Sequence, residues 1–406
     1  MPGRRAAALS AAALVVGLAG CGSSRPAVGI AVDQPDSLTG TVIDVRVEGL
    51  DAGQQVGVAA ESRDGGGVRW SAQAQFRADG QGRVDLARDA ATGGSYEGVH
   101  AMGLFATAQP DGPEQPGPPP ERTEITLTVL DGQRPLASRV IVRRGLAPGV
   151  STRALTVAGD GVLGYYYAPS GADRRPAVLA FGGSEGGVNT GVALAQALAS
   201  RGHPALGIAY FGGPGLPASL TGVPLEYFGR ALAFLRAQPG VDPGRVTVLS
   251  GSRGSEAAQL LAAHYPVHAV VALSPSDVAL CGYPDCARPA WTWQGRAVPF
   301  TAERNRPAPT DNPAAVLPYD RIAAPLFLAC GERDLVWDSC PYARAAIAHH
   351  HAAGDTLLAY PHAGHAVDLL LPGATAAGPR VQGDSPTANE DAREQLWPRV
   401  LDALSR

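Results

Sequence analysis

Ser252, Asp334 and His365 lie far apart in the chain, but they are the residue types that together make a serine into a nucleophile. A serine hydroxyl attacks weakly until a base takes its proton, and an imidazole is a better base when a carboxylate orients it. Ser252 sits in Ser250-Gly251-Ser252-Arg253-Gly254, between the apolar run 246–249 and the helix-forming run 256–263. A serine on a sharp turn from strand to helix is held out for attack, provided the residues two before and two after it are small. Ser250 and Gly254 meet that demand, although glycine is usual at the first of these positions. Asp334 follows the apolar run 326–329, where an orienting acid belongs, with Glu332 and Asp338 as competitors. His365 follows a glycine beyond the strand-like run 356–360, with His362 as its rival. A developing oxyanion also needs backbone donors. The Arg253 N–H would be one. The loop Gly182-Gly183-Ser184-Glu185-Gly186-Gly187 offers the other, Gly183 first and Ser184 next, because glycine lets backbone approach a substrate closely. That loop has neither G-K-[ST] nor G-x-G-x-x-G spacing, so a phosphate cradle is not expected. The run His349-His350-His351 reads as a solvated helix end.

Elements of alternating type must carry these groups. Residues 176–181, 204–210, 246–249, 267–273, 325–329 and 356–360 are apolar runs of strand length, and helical patterns cover 190–201 and 226–238. Strand–helix alternation of this kind predicts a mostly parallel sheet with helices on both faces, the α/β-hydrolase class, over residues 155–406. Within it, 288–320 is rich in proline and tryptophan and reads as a lid. Before it, residues 37–145 show short alternating runs at 41–47, 55–60, 69–76, 83–86, 125–130 and 139–143. These predict a small antiparallel β-sandwich with no catalytic constellation of its own.

The first residues suggest export. Arg4 and Arg5 precede an apolar stretch at 6–18 that is short for a membrane span, and Leu18-Ala19-Gly20-Cys21 follows. The pattern resembles a bacterial lipoprotein signal at 1–20, with Cys21 lipidated to hold the chain to a membrane and 21–36 as a polar tether. An ordinary secretory signal is the alternative. Cys281, Cys286, Cys330 and Cys340 remain, an even number that reads as two disulfides in an exported chain. Of three connectivities, the local pairs 281–286 and 330–340 are expected. A metal site is the rival reading, but no histidine stands beside these cysteines at ligand spacing, and nothing calls for a cofactor. A formal net charge of −4 over 406 residues, with no basic run, argues against a nucleic-acid partner.

Several longer stretches carry a family resemblance. In the first domain they are Trp70-Ser71-Ala72-Gln73-Ala74-Gln75-Phe76-Arg77-Ala78, Gly93-Gly94-Ser95-Tyr96 and Ala101-Met102-Gly103-Leu104. In the second they are the glycine loop after Phe181, the long run from Ala209 to Pro217, Pro224-Leu225-Glu226-Tyr227-Phe228, the Ser252 turn and Ala363-Gly364-His365. Together they resemble the acyl-CoA thioesterase and bile acid-CoA:amino acid N-acyltransferase family. The resemblance implies a β-sandwich ahead of an α/β-hydrolase domain, with Ser252, Asp334 and His365 as nucleophile, acid and base. Members that conjugate acyl groups to amino acids carry cysteine at the nucleophile. Serine here favours water, so hydrolysis of acyl thioesters or carboxylic esters is expected ahead of transfer to an amino acid. A surface lipoprotein that binds an acyl ligand or a protein without turnover is the alternative from another class.

Overall fold

The computed structural model describes residues 27–113, 119–171, 173–374 and 385–406. Cys21 and the expected lipoprotein signal at 1–20 lie outside the described residues.

Alternation builds the first domain. In Val45–Glu48 both valines are buried and both charged residues exposed, and in Arg69–Arg77 the buried residues are Ala72, Ala74 and Phe76. Gly29–Val32, Val45–Glu48 and Val84–Asp85 form one small antiparallel sheet. A larger sheet runs in the order Asp36–Leu38, Arg134–Arg144, Arg122–Asp131, Gln55–Arg63, Arg69–Arg77, Ala91–Gly94 and Glu97–Gly98. One apolar core is shared between the two, with Ile30, Val45 and Val47 meeting Val56, Val58 and Phe76. The strand Gly29–Val32 corrects the expected tether at 21–36. Ile30 and Val32 alternate inward with Gly29 and Ala31, and this brief pattern pairs with Val45–Glu48.

The second domain is organised by one eight-stranded sheet. Its strands are β1 (Ser151–Leu155), β2 (Leu163–Ala168), β3 (Arg175–Phe181), β4 (Ala205–Ala209), β5 (Val241–Gly251), β6 (Ala269–Leu273), β7 (Leu326–Gly331) and β8 (Thr356–Tyr360). They lie in the order β1-β2-β4-β3-β5-β6-β7-β8. The β1–β2 and β2–β4 pairings are antiparallel, and every pairing from β4 to β8 is parallel. The central strands read as unbroken apolar runs because both faces are covered. Helices α2 (Leu225–Arg236), α3 (Arg253–His264) and α4 (Ser339–His350) pack on one core. Helices α1 (Asn189–Ala199) and α5 (Pro386–Ser405) pack on the other. This is the α/β-hydrolase arrangement, with β5 and its following turn at the centre of the sheet. No helix among the described residues is long and apolar enough to cross a membrane.

The domains touch along α1 and α5. Arg201 donates to the Thr39 carbonyl at 2.9 Å and stacks on the Trp397 ring at 5.0 Å. His100 Nδ1 lies 2.9 Å from the Asp391 carboxylate. Two disulfides, Cys281–Cys286 and Cys330–Cys340, close local loops in the second domain.

Candidate active site

Ser252 stands between the end of β5 and the start of α3 with φ 52° and ψ −132°. A side chain in such a conformation costs about 1–3 kcal/mol, so the surroundings must hold it. The Ser252 N–H donates to the Leu273 carbonyl on β6 at 2.9 Å, and the Ser252 carbonyl accepts from the Ser255 N–H. Crowding on the other side explains the small neighbours. A Cβ on Gly254 would come within 2.0 Å of Ser250 Oγ and 2.2 Å of the Gly182 carbonyl. Ser250 fits where glycine is usual because its hydroxyl donates to the Phe181 carbonyl at 2.8 Å. It therefore ties the turn to the end of β3.

The turn places Ser252 Oγ 2.9 Å from His365 Nε2, and Asp334 Oδ2 lies 2.8 Å from His365 Nδ1. The carboxylate fixes the imidazole with its proton on Nδ1, so Nε2 accepts from the serine hydroxyl. Asp334 is reached by a short turn after β7, and its other oxygen accepts from the Val336 and Trp337 N–H groups. His365 opens the 3-10 turn His365–Leu369. Three partners that composition alone does not mark hold this ring in place. The Trp337 ring meets it edge-on at 5.4 Å, the Ser274 hydroxyl donates to its carbonyl at 2.8 Å, and Asn389 accepts from the Gly364 N–H at 2.6 Å. Trp337 also donates its indole N–H to the Ser274 carbonyl at 3.1 Å. Its place three residues past Asp334 was the one available clue. The Asp368 carboxylate lies 3.9 Å from His365 Nε2, a second acid that strand-end reasoning missed because it comes after the histidine.

The rivals sit elsewhere. Glu332 pairs with Arg344, Asp338 precedes the first turn of α4, and His362 is exposed. The triple histidine is the solvated end of α4 at His349 and His351, and departs from that reading only at His350. The His350 side chain is buried, with Nδ1 2.8 Å from the Asp355 carboxylate and Nε2 2.8 Å from the Ile322 carbonyl. His349, half exposed, lies 3.8 Å from Asp277. Among the described residues neither Asp277 carboxylate oxygen has a hydrogen-bond partner, and burial pushes its pKa up to about 8.

The oxyanion side differs from expectation at Gly183. A Cβ there would come within 2.8 Å of Ser252 Cβ, so the glycine does allow close approach. Its N–H, however, donates to the Glu185 carboxylate at 2.9 Å. Ser184 instead lines the cavity at Ser252, together with Arg253. As the first residue of α3, Arg253 has no carbonyl one turn back for its N–H. The Arg253 side chain turns away into a buried pair with Glu256 at 2.6 Å and also donates to the Leu280 and Cys281 carbonyls. Burial pushes the Glu256 carboxyl up, against the pull of Arg253 and a hydrogen bond from Trp291.

That tryptophan corrects the lid. Trp291 is fully buried in the core, Trp291–Trp293 pairs with Val223–Pro224, and the Trp291 indole donates to Glu256 at 2.8 Å. The strand Trp291–Trp293 is therefore a buttress beside α2 and α3, with Trp291 in the core and Trp293 stacked on His264. Arg304, further along, does border the cavity at Ser252. That cavity is about 200 Å³, and Leu280, Tyr283, Val336 and Trp337 supply its apolar walls.

An imidazole linking a carboxylate to a serine hydroxyl beside a half-apolar cavity can carry an acyl group through a covalent serine ester. Known proteins agree in kind. The model of the acyl-CoA thioester hydrolase/BAAT N-terminal region matches residues 41–157, and that of the BAAT/acyl-CoA thioester hydrolase C terminal matches 223–374. Acyl-coenzyme A thioesterase 6 of Mus musculus is 30% identical over 388 residues, covering 88% of this chain and 91% of the relative. Acyl-coenzyme A thioesterase 3 of the same species is 29% identical, covering 93% and 91%. Acyl-coenzyme A amino acid N-acyltransferase 2 of Rattus norvegicus is 26% identical, covering 90% and 94%. This chain belongs to the acyl-CoA thioester hydrolase and bile acid-CoA:amino acid N-acyltransferase family.

Proposed function

We propose that the protein hydrolyses acyl thioesters or carboxylic esters through Ser252, His365 and Asp334. The observation that carries this reading is the unbroken hydrogen-bonded line from Ser252 Oγ through both imidazole nitrogens to Asp334. Ser252 attacks the acyl carbonyl while His365 Nε2 takes its proton, and Asp334 steadies the imidazolium. The oxyanion forms against the Arg253 N–H and the Ser184 N–H. His365 returns its proton to the leaving thiolate or alkoxide. Water, deprotonated by the same imidazole, then releases the acid and frees Ser252.

A fluorophosphonate probe should label the wild type and not Ser252→Ala; equal labelling of both would contradict the assignment. A panel of acyl chain lengths, each offered as CoA thioester and as simple ester, should show turnover that Ser252→Ala loses. Adding glycine or taurine separates hydrolysis from transfer, since an amide product would mark an acyltransferase. Ligand binding without turnover on the whole panel would mark a non-catalytic binding protein.

The same proposal places the protein outside the cytoplasm, held to a membrane by lipid on Cys21. The stretch from Arg4 to Cys21 and four cysteines joined in two disulfides support this, since such bonds persist in oxidising compartments. Labelling with an alkyne fatty acid should mark the wild type and not Cys21→Ser, and should move with the membrane fraction.

A further inference from the structure

Among the described residues, none of the first domain lines the cavity at Ser252, yet two of the stretches that stand out in its sequence converge in space. Trp70 and the segment 101–104 meet at the seam between the domains, around a cavity of about 220 Å³. Trp70, Ala108 and Ile125, each partly buried, form apolar walls over the fully buried Met102 and Leu104, and Gly373 of the second domain closes one side. An apolar cavity of about 150 Å³ is enough to take benzene, so this one has room for a medium-length alkyl chain. The Glu61 carboxylate, also at the lining, is engaged by Arg69 at 2.8 Å.

Arg143 lines the same cavity and is only 7% exposed. Its guanidinium donates to the Ser37 hydroxyl at 2.7 Å and the Thr41 carbonyl at 2.5 Å, both neutral acceptors. Those bonds use two of its five donors. Burial, with Arg201 close by, pushes its pKa down to about 10. Arg201 is itself pushed down to about 10 by burial, and it donates to the Thr39 and Ala197 carbonyls. The two carboxylates that act on Arg143 through space have nearer partners. Asp33 accepts from the Gln34 and Asp44 N–H groups, and Glu390 bonds Arg393 and the Gly373 N–H. A buried cation whose hydrogen-bond partners are neutral favours an anion brought from outside.

We propose that the seam cavity is a second binding site, for a medium-chain aliphatic carboxylate with its head group on Arg143 and its chain along Trp70, Ala108 and Ile125. The site is separate from the reaction at Ser252 and does not depend on it. A ligand there touches both domains, so it stabilises their docked arrangement by mass action.

Calorimetric titration of the full chain with sodium octanoate tests this. Ala108→Phe and Ser62→Leu fill the cavity from different walls, and neither position belongs to the Ser252 site. The wild type should bind one octanoate. Each filled variant should bind about tenfold or more weakly while 4-nitrophenyl acetate turnover stays within about twofold. 1-Octanol, which lacks the charge, should bind at least about tenfold more weakly than octanoate. Thermal melting identifies whether either variant has misfolded, and the other then carries the comparison. An octanoate isotherm unchanged by a folded filled variant, octanol binding as tightly as octanoate, or no octanoate binding to the wild type would each overturn the proposal.

Discussion

Ser252 is held in a backbone conformation that side chains resist, and the bonds that hold it also aim its hydroxyl at His365. Ser252→Ala should lower turnover by about 10³-fold or more, as measured by steady-state hydrolysis of an acyl ester. Asp334→Asn should leave the fold intact and lower turnover by about 10⁴-fold, because an amide does not hold the imidazole in the tautomer the serine needs. Ser250→Gly should behave differently. It restores the usual small residue but loses the bond to Phe181, so it should keep turnover and lower unfolding free energy by about 1 kcal/mol in urea titration. At this scale the types and order of the three distant residues were legible, because each follows an apolar run that ends a strand. The Gly183 N–H was misread because its acceptor, Glu185, sits two residues along the same loop. Whether such a side chain folds back depends on loop geometry that composition does not carry.

Among the elements, β3 through β8 could be read as apolar runs with helices between them. β1 could not: four of its five residues are exposed, so neither alternation nor hydrophobicity marks it. The first part of the 288–320 segment, around Trp291, departs from the lid reading for the opposite reason. Proline and tryptophan suit a mobile cover and a packed buttress alike, and only the partner of the Trp291 indole, the buried Glu256, decides between them. The loop after β6 carries a prediction of its own. Burial raises the Asp277 carboxyl from 3.8 to about 8, so the folded chain holds that proton more tightly than the unfolded one. Its contribution to stability is therefore full below the unfolded pKa and is lost as pH rises toward about 8. Asp277→Asn removes this dependence. Its melting temperature should gain on the wild type from pH 5 to pH 8, as read by circular dichroism, and a constant gap would refute the assignment. His349, the facing imidazole, and Tyr319 and Tyr342 on the packed elements are the other groups to hold in view.

At the scale of the whole molecule, two domains share a seam built on Arg201, Trp397 and the 39–41 turn. Arg201→Ala removes a stacked cation and its bond to Thr39, so the domains should melt in two steps, which differential calorimetry would resolve. The second disulfide spans the loop that carries the catalytic acid. Cys330 is next to last in β7 and Cys340 second in α4, so the stretch bearing Asp334 is a closed ring anchored at both ends. A freshly made, still reduced chain has the same residues with that ring open. Helix content should return on refolding before ester cleavage does, and the lag between them should shorten with added oxidant. Competence would then arrive with a covalent event rather than with chain collapse, and a reductant added to the folded protein should lower ester cleavage before it lowers helix content.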